Sequence, residues 1–539
     1  MAKEMNINLI PKDKLVLANM GDHIKDQKFE DKPIGYFKDA WRRFCKNKAS
    51  IVAALIIICI ILFAIIVPFL NFSGTGTQAE TRYMKKGPRN LFLSQFGIAT
   101  GTVDSELRDT ALIQYTAIGI GSSTDFDNII TIGEALNSGD ALQPVKKVTD
   151  SYTVQQGKNE IAMTDAKVDS YLEVGFIYLD ITQSEYAKIV EWQEENEIQV
   201  LYPLVNLNEM NMYYATSGNS DPNWWYRTDT KGRPVSDYKV DHLGKAKYTL
   251  IEYDDVNDIK LVDNYMRDEE GNLVYHTYSG GGDATTAMFR VRVLFYNYYR
   301  YTHNGMEPEF IFGTDAVGYD LAYRMAIGIR LSLILAVCIF IINFILGAMY
   351  GAVEGYYGGT VDLVLEFVSY VLSGVPFMVT ASLFQIHLAA KAGAIPSLLF
   401  AFVLTGWIGT AGLVRTQFYR FKNQEYVMAA RTLGAKDSRV IWKHIFPNTL
   451  GTIITSSVLA IPGVIFSESM LSYLGIVNLG SSTMTSLGTL LSSAAGVWTA
   501  RPHLMIFPAG VISLLMICFN LFGNGLRDAF NPSLRGTED

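Results

Sequence analysis

Six apolar stretches constrain this chain more than any other feature, because each is long enough to cross a membrane as a helix. An α-helix of about 20 apolar residues spans the hydrocarbon core of a bilayer. The first stretch covers residues 51–70 and carries no charge. The other five all lie in the second half of the chain, at residues 327–353, 363–387, 397–414, 450–471 and 504–526. The sequence therefore predicts six transmembrane helices.

Charge is distributed unevenly around these stretches. Residues 71–310 hold 35 acidic and 21 basic side chains, so this region carries a net charge of −14. The whole chain carries −8, so the remaining residues together carry +6. Cations instead stand directly before the first stretch, and seven of them lie between residues 415 and 443 against two carboxylates. Because positive residues mark cytoplasmic loops, both termini and the 415–443 segment are expected in the cytoplasm and residues 71–310 outside. The acidic total gives no reason to expect a nucleic-acid partner.

The long region between the first two stretches is predicted to be a folded α+β domain. None of the four cysteines lies within it, so it is expected to fold without disulfides. Strands are expected at residues 171–182 and 198–205, with a helix between them at residues 184–194, as in a βαβ unit. Thr182 and Glu185 have the spacing of a capping box at the start of that helix. Hairpin turns are expected at residues 267–272 and 228–232.

These patterns divide the chain into consecutive segments. They predict an all-α membrane domain of six helices with an inserted α+β extracellular domain. The segments are a cytoplasmic tail at 1–50, a first transmembrane helix at 51–70, the inserted domain at 71–310, a five-helix core at 311–530 with a cytoplasmic elbow at 417–449, and a second tail at 531–539. Within the first tail, residues 35–44 are compatible either with an amphipathic helix on the membrane surface or with a simple tail.

The elbow contains the most informative local pattern. Residues 424–435 read Gln-Glu-Tyr-Val-Met-Ala-Ala-Arg-Thr-Leu-Gly-Ala. The small side chains of Ala429 and Ala430 allow another backbone to approach closely, and Gly434 suits the left-handed residue that ends a helix. Pro447 is expected to end a second short helix. The pattern predicts a pair of short helices that dock into a groove on a partner protein, and the alternative is an ordinary charged loop.

This pattern resembles the cytoplasmic signature of permeases of binding-protein-dependent ATP-binding-cassette importers. In that signature a Glu-Ala-Ala triplet is followed by glycine four residues later and then by proline. Met428 stands where the family usually has glutamate, and a methionine side chain can fill a groove in place of an ionic contact. The resemblance implies that the elbow seats on an ATPase subunit through coupling residues Glu425, Met428, Ala429, Ala430, Gly434 and Pro447.

Further segments are similar to the C-type permease of oligopeptide and dipeptide importers. They are found at residues 312–320, 355–362, 468–475 and 519–532. The resemblance implies a type I importer permease in a bacterial plasma membrane. The implied partners are a B-type permease, two ATP-binding subunits, an extracellular peptide-binding lipoprotein and the peptide. The inserted domain departs from the family, and its position suggests the hypothesis that it helps to seat the binding protein.

No catalytic or cofactor site is expected in the chain. It has no phosphate-binding loop, so ATP and Mg²⁺ are expected in partner subunits, and the chain is not expected to be an enzyme. The acidic residues at 254–258 are interpreted as a solvated turn rather than a calcium site. Glu366, close to Asp362, is expected to extend to water at the inner interface. The aromatic cluster at 224–226 is expected in a core rather than on a peptide-contacting surface.

The sequence leaves two functions open as alternatives to a peptide permease. A related permease can carry another solute, such as a nickel complex or a signalling peptide. A membrane-anchored sensor that works through the outer domain belongs to a different class. The elbow pattern and the lack of a catalytic constellation count against the sensor.

Overall fold

The computed structural model describes residues 36–70, 79–108, 142–204 except 158, 266–280 and 287–530 except 482, with shorter pieces at 111–112, 115, 118–119, 121–122, 223, 236–240 and 246–250. These residues form a helical bundle and an α+β domain that is inserted after the first long helix. The helices are α1 (Tyr36–Lys46), α2 (Lys48–Leu70), α3 (Leu91–Ser94), α4 (Gln183–Asn196), α5 (Phe295–Thr302), α6 (Leu321–Tyr357), α7 (Gly359–Ser373), α8 (Phe377–Ala392), α9 (Ala394–Gly406), α10 (Ile408–Phe421), α11 (Glu425–Thr432), α12 (Asp437–Arg439), α13 (Phe446–Val458), α14 (Ala460–Tyr473), α15 (Leu487–Ala494) and α16 (His503–Phe530). The strands are β1 (Thr102–Arg108), β2 (Val145–Gln156), β3 (Asn159–Asp169), β4 (Phe176–Thr182), β5 (Leu201–Tyr202), β6 (Ser236–Val240), β7 (Ala246–Leu250), β8 (His276–Gly280) and β9 (Met288–Leu294).

Five helical runs among the described residues are long and apolar enough to cross a membrane, and each covers one predicted stretch. They are α2, α6, α9 with α10, the run from α12 to α14, and α16. The remaining stretch, residues 363–387, is instead two helices, α7 and α8, which meet at 73°. Pro376 lies at the start of α8 and has no N–H with which to continue a helix. A single straight helix over 363–387 is therefore wrong, although the pair together still has the length and composition of one span.

A row of glycines brings α6 and α10 into close contact. Gly347, Gly351 and Gly355 recur every four residues along α6. A Cβ on Gly351 would lie 2.2 Å from the carbonyl oxygen of Ala411, and one on Gly355 would lie 2.7 Å from Cβ of Phe418. Small residues at this spacing let two membrane helices pack backbone against backbone. The row therefore fixes α10 against the C-terminal half of α6, which ends beside the elbow.

The segment before the first span forms a helix, α1, rather than a simple tail. Phe44 is buried and its ring centroid lies 5.5 Å from that of Phe522 in α16, while Trp41 is exposed. At the following turn, Ser50 Oγ donates to the carbonyl oxygen of Leu521 at 3.1 Å. Residues 36–50 therefore pack on the last helix rather than forming a free tail.

The inserted domain contains two main antiparallel sheets. In one, β3 lies between β1 and β2, with Thr102 opposite Asp169 and Tyr152 opposite Met163. In the other, β9 lies between β4 and β5 and also pairs with β8. Since β4 and β5 are both antiparallel to β9, they run parallel to each other, with α4 connecting them. The predicted β–α–β order is confirmed, but a strand from the far end of the domain separates its two strands.

Local details of this unit partly follow the prediction. Thr182 Oγ1 accepts a hydrogen bond from the backbone N–H of Glu185 at 3.2 Å, which confirms the expected cap of α4. The strand expected from residue 171 begins only at Phe176, because Gly175, with φ +67°, follows a short 3-10 turn. The strand expected at 198–205 is reduced to Leu201–Tyr202. Asp268 accepts from the backbone N–H of Asn272 at 2.7 Å, as expected for the turn at 267–272.

An aromatic core joins the first and the last segments of the inserted domain. The Tyr83 ring centroid lies 4.9 Å from that of Phe295 and 5.2 Å from that of Tyr171, and Tyr171 stacks on Phe310 at 5.7 Å. The Tyr171 hydroxyl donates to the carbonyl oxygen of Gly87 at 2.7 Å. Burial raises the pKa of both Tyr83 and Tyr171 well above the usual value, so both phenols are neutral at physiological pH. The aromatic cluster at 224–226, the turn at 228–232 and the acidic segment at 254–258 lie outside the described residues.

Candidate functional site

The elbow between α10 and α13 is a compact structure with a glycine-terminated helix at its centre. Helix α11 ends in a Schellman motif at Gly434, whose φ is +80°. The N–H of Gly434 bonds to the carbonyl oxygen of Arg431 at 2.9 Å, and the N–H of Ala435 bonds to that of Ala430 at 3.0 Å. This confirms the predicted left-handed helix terminus, which glycine adopts without a steric penalty.

Apolar packing joins the elbow to the ends of α6 and α10. Val427 of α11 and Ile445 are fully buried. They belong to one core cluster with Ala352 of α6 and with Val414 and Phe418 of α10. Burying a valine or isoleucine side chain contributes about 1.5–3 kcal/mol, so the elbow is packed as part of the bundle rather than as a free loop.

Polar contacts join both halves of the elbow to one residue at the end of α6. The hydroxyl of Tyr356 donates to Asp437 Oδ1 at 2.6 Å. On its other side, the guanidinium of Arg431 lies 4.9 Å from the centre of the Tyr356 ring, within the range of a cation–π interaction. Lys422 Nζ also donates to the carbonyl oxygen of Gly355 at 3.0 Å. Tyr356 therefore contacts both halves of the elbow, α11 through Arg431 and α12 through Asp437.

The predicted coupling residues lie on the side of the elbow that faces away from the bundle. Met428 is 51% exposed, and Leu433, which was not predicted, is 88% exposed. The other predicted coupling residues are exposed, except that Ala430 is half-buried; they are Glu425, Ala429, Ala430, Gly434 and Pro447. The exposed apolar side chains of Tyr426 and Trp442 were also missed. Their signal was available, since apolar residues in a short polar segment indicate an interaction surface.

Pro447 does not end a helix, which corrects the prediction. It lies in the first turn of α13, which continues from a π-helical turn at Val440–Ile445. Proline lacks the N–H that a regular helix would use at this position, and the π-helical turn lies directly before it. The helical run from α12 to α14 therefore passes from the elbow into the bundle without interruption.

A charged cluster lies close to the elbow, between α6, α7 and α10. Arg415 forms two hydrogen bonds to Asp362, at 2.6 and 2.8 Å, and two to Glu366, both at 3.0 Å. Glu354 lies 3.7 Å from the same guanidinium, and the hydroxyl of Tyr419 donates to Asp362 at 2.6 Å. Glu366 is 57% exposed and also pairs with Arg415, a partner that the sequence expectation did not include. Sequence reasoning missed the pairing because Arg415 lies about fifty residues from its partners.

A buried carboxylate lies toward the other end of the bundle. Glu468 in α14 accepts hydrogen bonds from Ser332 Oγ of α6 and from Ser472 Oγ, each at 3.0 Å. Helix α15 packs closely beside it, since a Cβ on Gly488 would lie 2.5 Å from Cα of Ser469. Hydroxyl donors thus replace water around this carboxylate and connect α6 to α14.

Two known families match this chain, one over most of its second half and one near its start. Residues 344–536, which include the elbow, match the binding-protein-dependent transport system inner membrane component. Residues 35–88 match the N-terminal transmembrane domain of oligopeptide transport permease C.

Individual relatives agree with these matches. The oligopeptide transport system permease protein OppC of Bacillus subtilis is 39% identical over 224 residues, which cover 42% of this chain and 72% of the relative. The dipeptide transport system permease protein DppC of the same organism is 40% identical, covering 42% and 69%. OppC of Haemophilus influenzae is 41% identical, covering 43% and 72%. With its elbow and its apolar helices, the chain belongs to the family of binding-protein-dependent transport system inner membrane components, and it is a multi-pass membrane permease subunit.

Proposed function

We propose that this chain is a C-type permease subunit of an ATP-driven importer of oligopeptides or dipeptides. It would form half of the translocation pathway beside a homologous B-type permease. Two ATP-binding subunits would supply ATP and Mg²⁺, and an extracellular peptide-binding lipoprotein would deliver the peptide. The names of the similar permeases from Bacillus subtilis and Haemophilus influenzae support peptide as the substrate class.

The proposed topology has six crossings, with α7 and α8 together as the third. Both termini and the elbow face the cytoplasm in the bacterial plasma membrane, and the inserted domain faces outward. The excess of cations in the segment 415–443 supports this orientation. The inserted domain is proposed to help seat the peptide-binding protein over the pathway.

One observation carries the coupling proposal: the elbow exposes Met428 and Leu433 while it is bonded to the end of α6 through Tyr356. A surface that moves with a partner ATPase therefore moves a transmembrane helix. ATP binding would close the two ATPases, displace the elbows and open the pathway outward.

The test is peptide-stimulated ATP hydrolysis by the complete complex in proteoliposomes, with paired variants at Gly434. Gly434→Val places a β-branched residue at φ +80° and should abolish stimulation, whereas Gly434→Asn keeps a residue that tolerates this conformation and should retain most of it. Within the described part of this chain nothing lies within 4 Å of the added Cβ, so neither variant clashes with the elbow itself. Equal activity of the two variants would contradict the role of the elbow. An intact complex that no peptide pool stimulates would point to another solute, such as a nickel complex.

A further inference from the structure

An exposed apolar loop lies near the start of the inserted domain. Residues 90–99, the apolar loop, include α3 and carry no charged side chain. Phe92 and Phe96 are 66% and 68% exposed, their ring centroids are 5.7 Å apart, and Ile98 beside them is also exposed. Two phenylalanines exposed to this degree in one short segment form a patch that water solvates poorly, and such patches mark interaction surfaces.

Hydrogen bonds within the loop and to Glu309 order its backbone. The side chain of Asn90 caps α3 by accepting from the N–H of Leu93 at 2.9 Å, and Glu309 accepts from the N–H of Leu91 at 2.7 Å. The N–H groups of Phe96 and Ile98 bond to the carbonyl oxygen of Leu93 at 3.0 and 3.2 Å. Several backbone donors of the loop are therefore satisfied without water. Each satisfied donor lowers the cost of placing this backbone beside lipid.

The stem of the loop lies at the end of the helical bundle. Arg89, directly before the loop, forms a two-way backbone bridge with Phe310 at 2.8 and 2.9 Å. Two residues later, the ring centroid of Phe312 lies 6.3 Å from that of Phe63 in α2 and 4.5 Å from that of Phe507 in α16. Two residues of chain span at most about 7 Å, so the stem lies beside the ends of α2 and α16 that border the inserted domain.

From this placement we propose that the apolar loop inserts Phe92 and Phe96 into the membrane leaflet at this end of the bundle. Ile311 beside the stem and Phe69 at the end of α2 are exposed too, which adds further apolar side chains at this end of the bundle. Phenylalanine is among the apolar residues that interfacial segments bury at the boundary between headgroups and acyl chains. The insertion would hold the base of the inserted domain against the lipid surface, independently of which solute the permease carries.

Spin labels placed on the loop test this directly. The four native cysteines are first replaced by alanine at positions 45, 59, 338 and 518. Single variants Phe92→Cys, Phe96→Cys and Tyr278→Cys are then labelled with a nitroxide in the full complex in proteoliposomes. Tyr278 is the matched control, because it is an exposed aromatic residue on β8 of the same domain. Power-saturation electron paramagnetic resonance measures collisions of each label with oxygen, which partitions into lipid, and with a water-soluble nickel chelate.

Insertion predicts an oxygen-to-nickel accessibility ratio severalfold higher at positions 92 and 96 than at 278. The ratio should not change when the peptide-binding protein is added. Ratios at 92 and 96 equal to that at 278 would overturn the proposal. A loss of nickel accessibility that appears only after the binding protein is added would also overturn it, because the loop would then be a protein docking site. Two label positions guard against a single variant that fails to fold.

Discussion

Met428 occupies an exposed position of the elbow at which the resembling family usually has glutamate. Glutamate at that place would offer an ionic contact to an ATPase subunit, whereas the half-exposed thioether of Met428 offers only an apolar one. The partner groove is therefore expected to be apolar where it receives this residue.

The variant pair Met428→Glu and Met428→Leu separates these contacts. We expect Met428→Glu to weaken association with the ATPase subunits roughly fivefold, because about 1 kcal/mol of apolar burial is lost. Met428→Leu conserves apolar volume and should bind within about twofold of the parent, since such swaps are well tolerated. Affinity between the purified permease pair and the ATPase subunits gives the measurement. Tighter binding of Met428→Glu would show that the groove is cationic.

Arg415 and its carboxylates predict a graded loss of stability. The Asp362 side chain is 12% exposed and the Glu366 side chain 57% exposed, so the Asp362 pair is shielded by the bundle and the Glu366 pair lies at its surface. Asp362→Asn should cost about 2 kcal/mol because it weakens a shielded pair, and Glu366→Gln less than about 1 kcal/mol. The apparent Tm of the purified complex measures both. A larger loss from Glu366→Gln would show that the exposed pair dominates.

At the scale of elements, the contact between α6 and α10 depends on the absence of side chains. Gly351→Ala would place a Cβ 2.2 Å from a backbone oxygen of α10, so one helix must move away from the other. Overpacking of this kind typically costs about 1–3 kcal/mol. We therefore expect a lower Tm and weaker coupling of ATP hydrolysis to peptide.

Gly412→Ala is the matched control for this substitution. It introduces the same methyl group on α10, where nothing lies within 4 Å. Replacing glycine by alanine inside a helix stabilises it by about 0.5–1 kcal/mol, so the Tm should stay equal or rise slightly. If both variants lowered the Tm equally, the close packing at Gly351 would not explain the effect.

At the scale of the whole molecule, the two sheets of the inserted domain differ in how they are supported. Strand β1 accompanies β3 only from Met163 to Asp169, so the outer half of the β2–β3 hairpin is a two-stranded arm. Almost all of β2 is exposed. The aromatic core around Tyr83 and Tyr171 does not include the arm. The arm is therefore the part of the domain that can be removed without opening the core.

Replacing residues 153–162 by Asn-Gly tests the proposal that the inserted domain seats the binding protein. The pair Tyr152–Met163 would then close a shorter hairpin, for which Asn-Gly is a favoured turn. We expect assembly with the ATPase subunits to be unchanged and association with the peptide-binding protein to weaken, as measured by binding to the complex in nanodiscs. Unchanged association and unchanged peptide uptake would exclude the arm as a docking element.

The sequence by itself determined the features that depend on neighbouring residues. Apolar stretches of about 20 residues indicate membrane helices because the bilayer requires that length. Gly434 and Thr182 predicted their helix ends correctly because the hydrogen bonds of a cap span only a few residues. The elbow and the chain's membership of a permease family followed from the same local pattern.

Only the tertiary structure decided the features that join distant parts of the chain. The sequence offered Arg415 several carboxylates, and packing of α10 on α6 and α7 selected Asp362 and Glu366. The bond from Tyr356 to Asp437 spans 81 residues, and β9 reaches β4 across more than a hundred. Such pairs form where helices and strands already pack, and the closing of long loops leaves no local periodicity in the sequence. The physical reason is that each partner is chosen by the geometry of the assembled core.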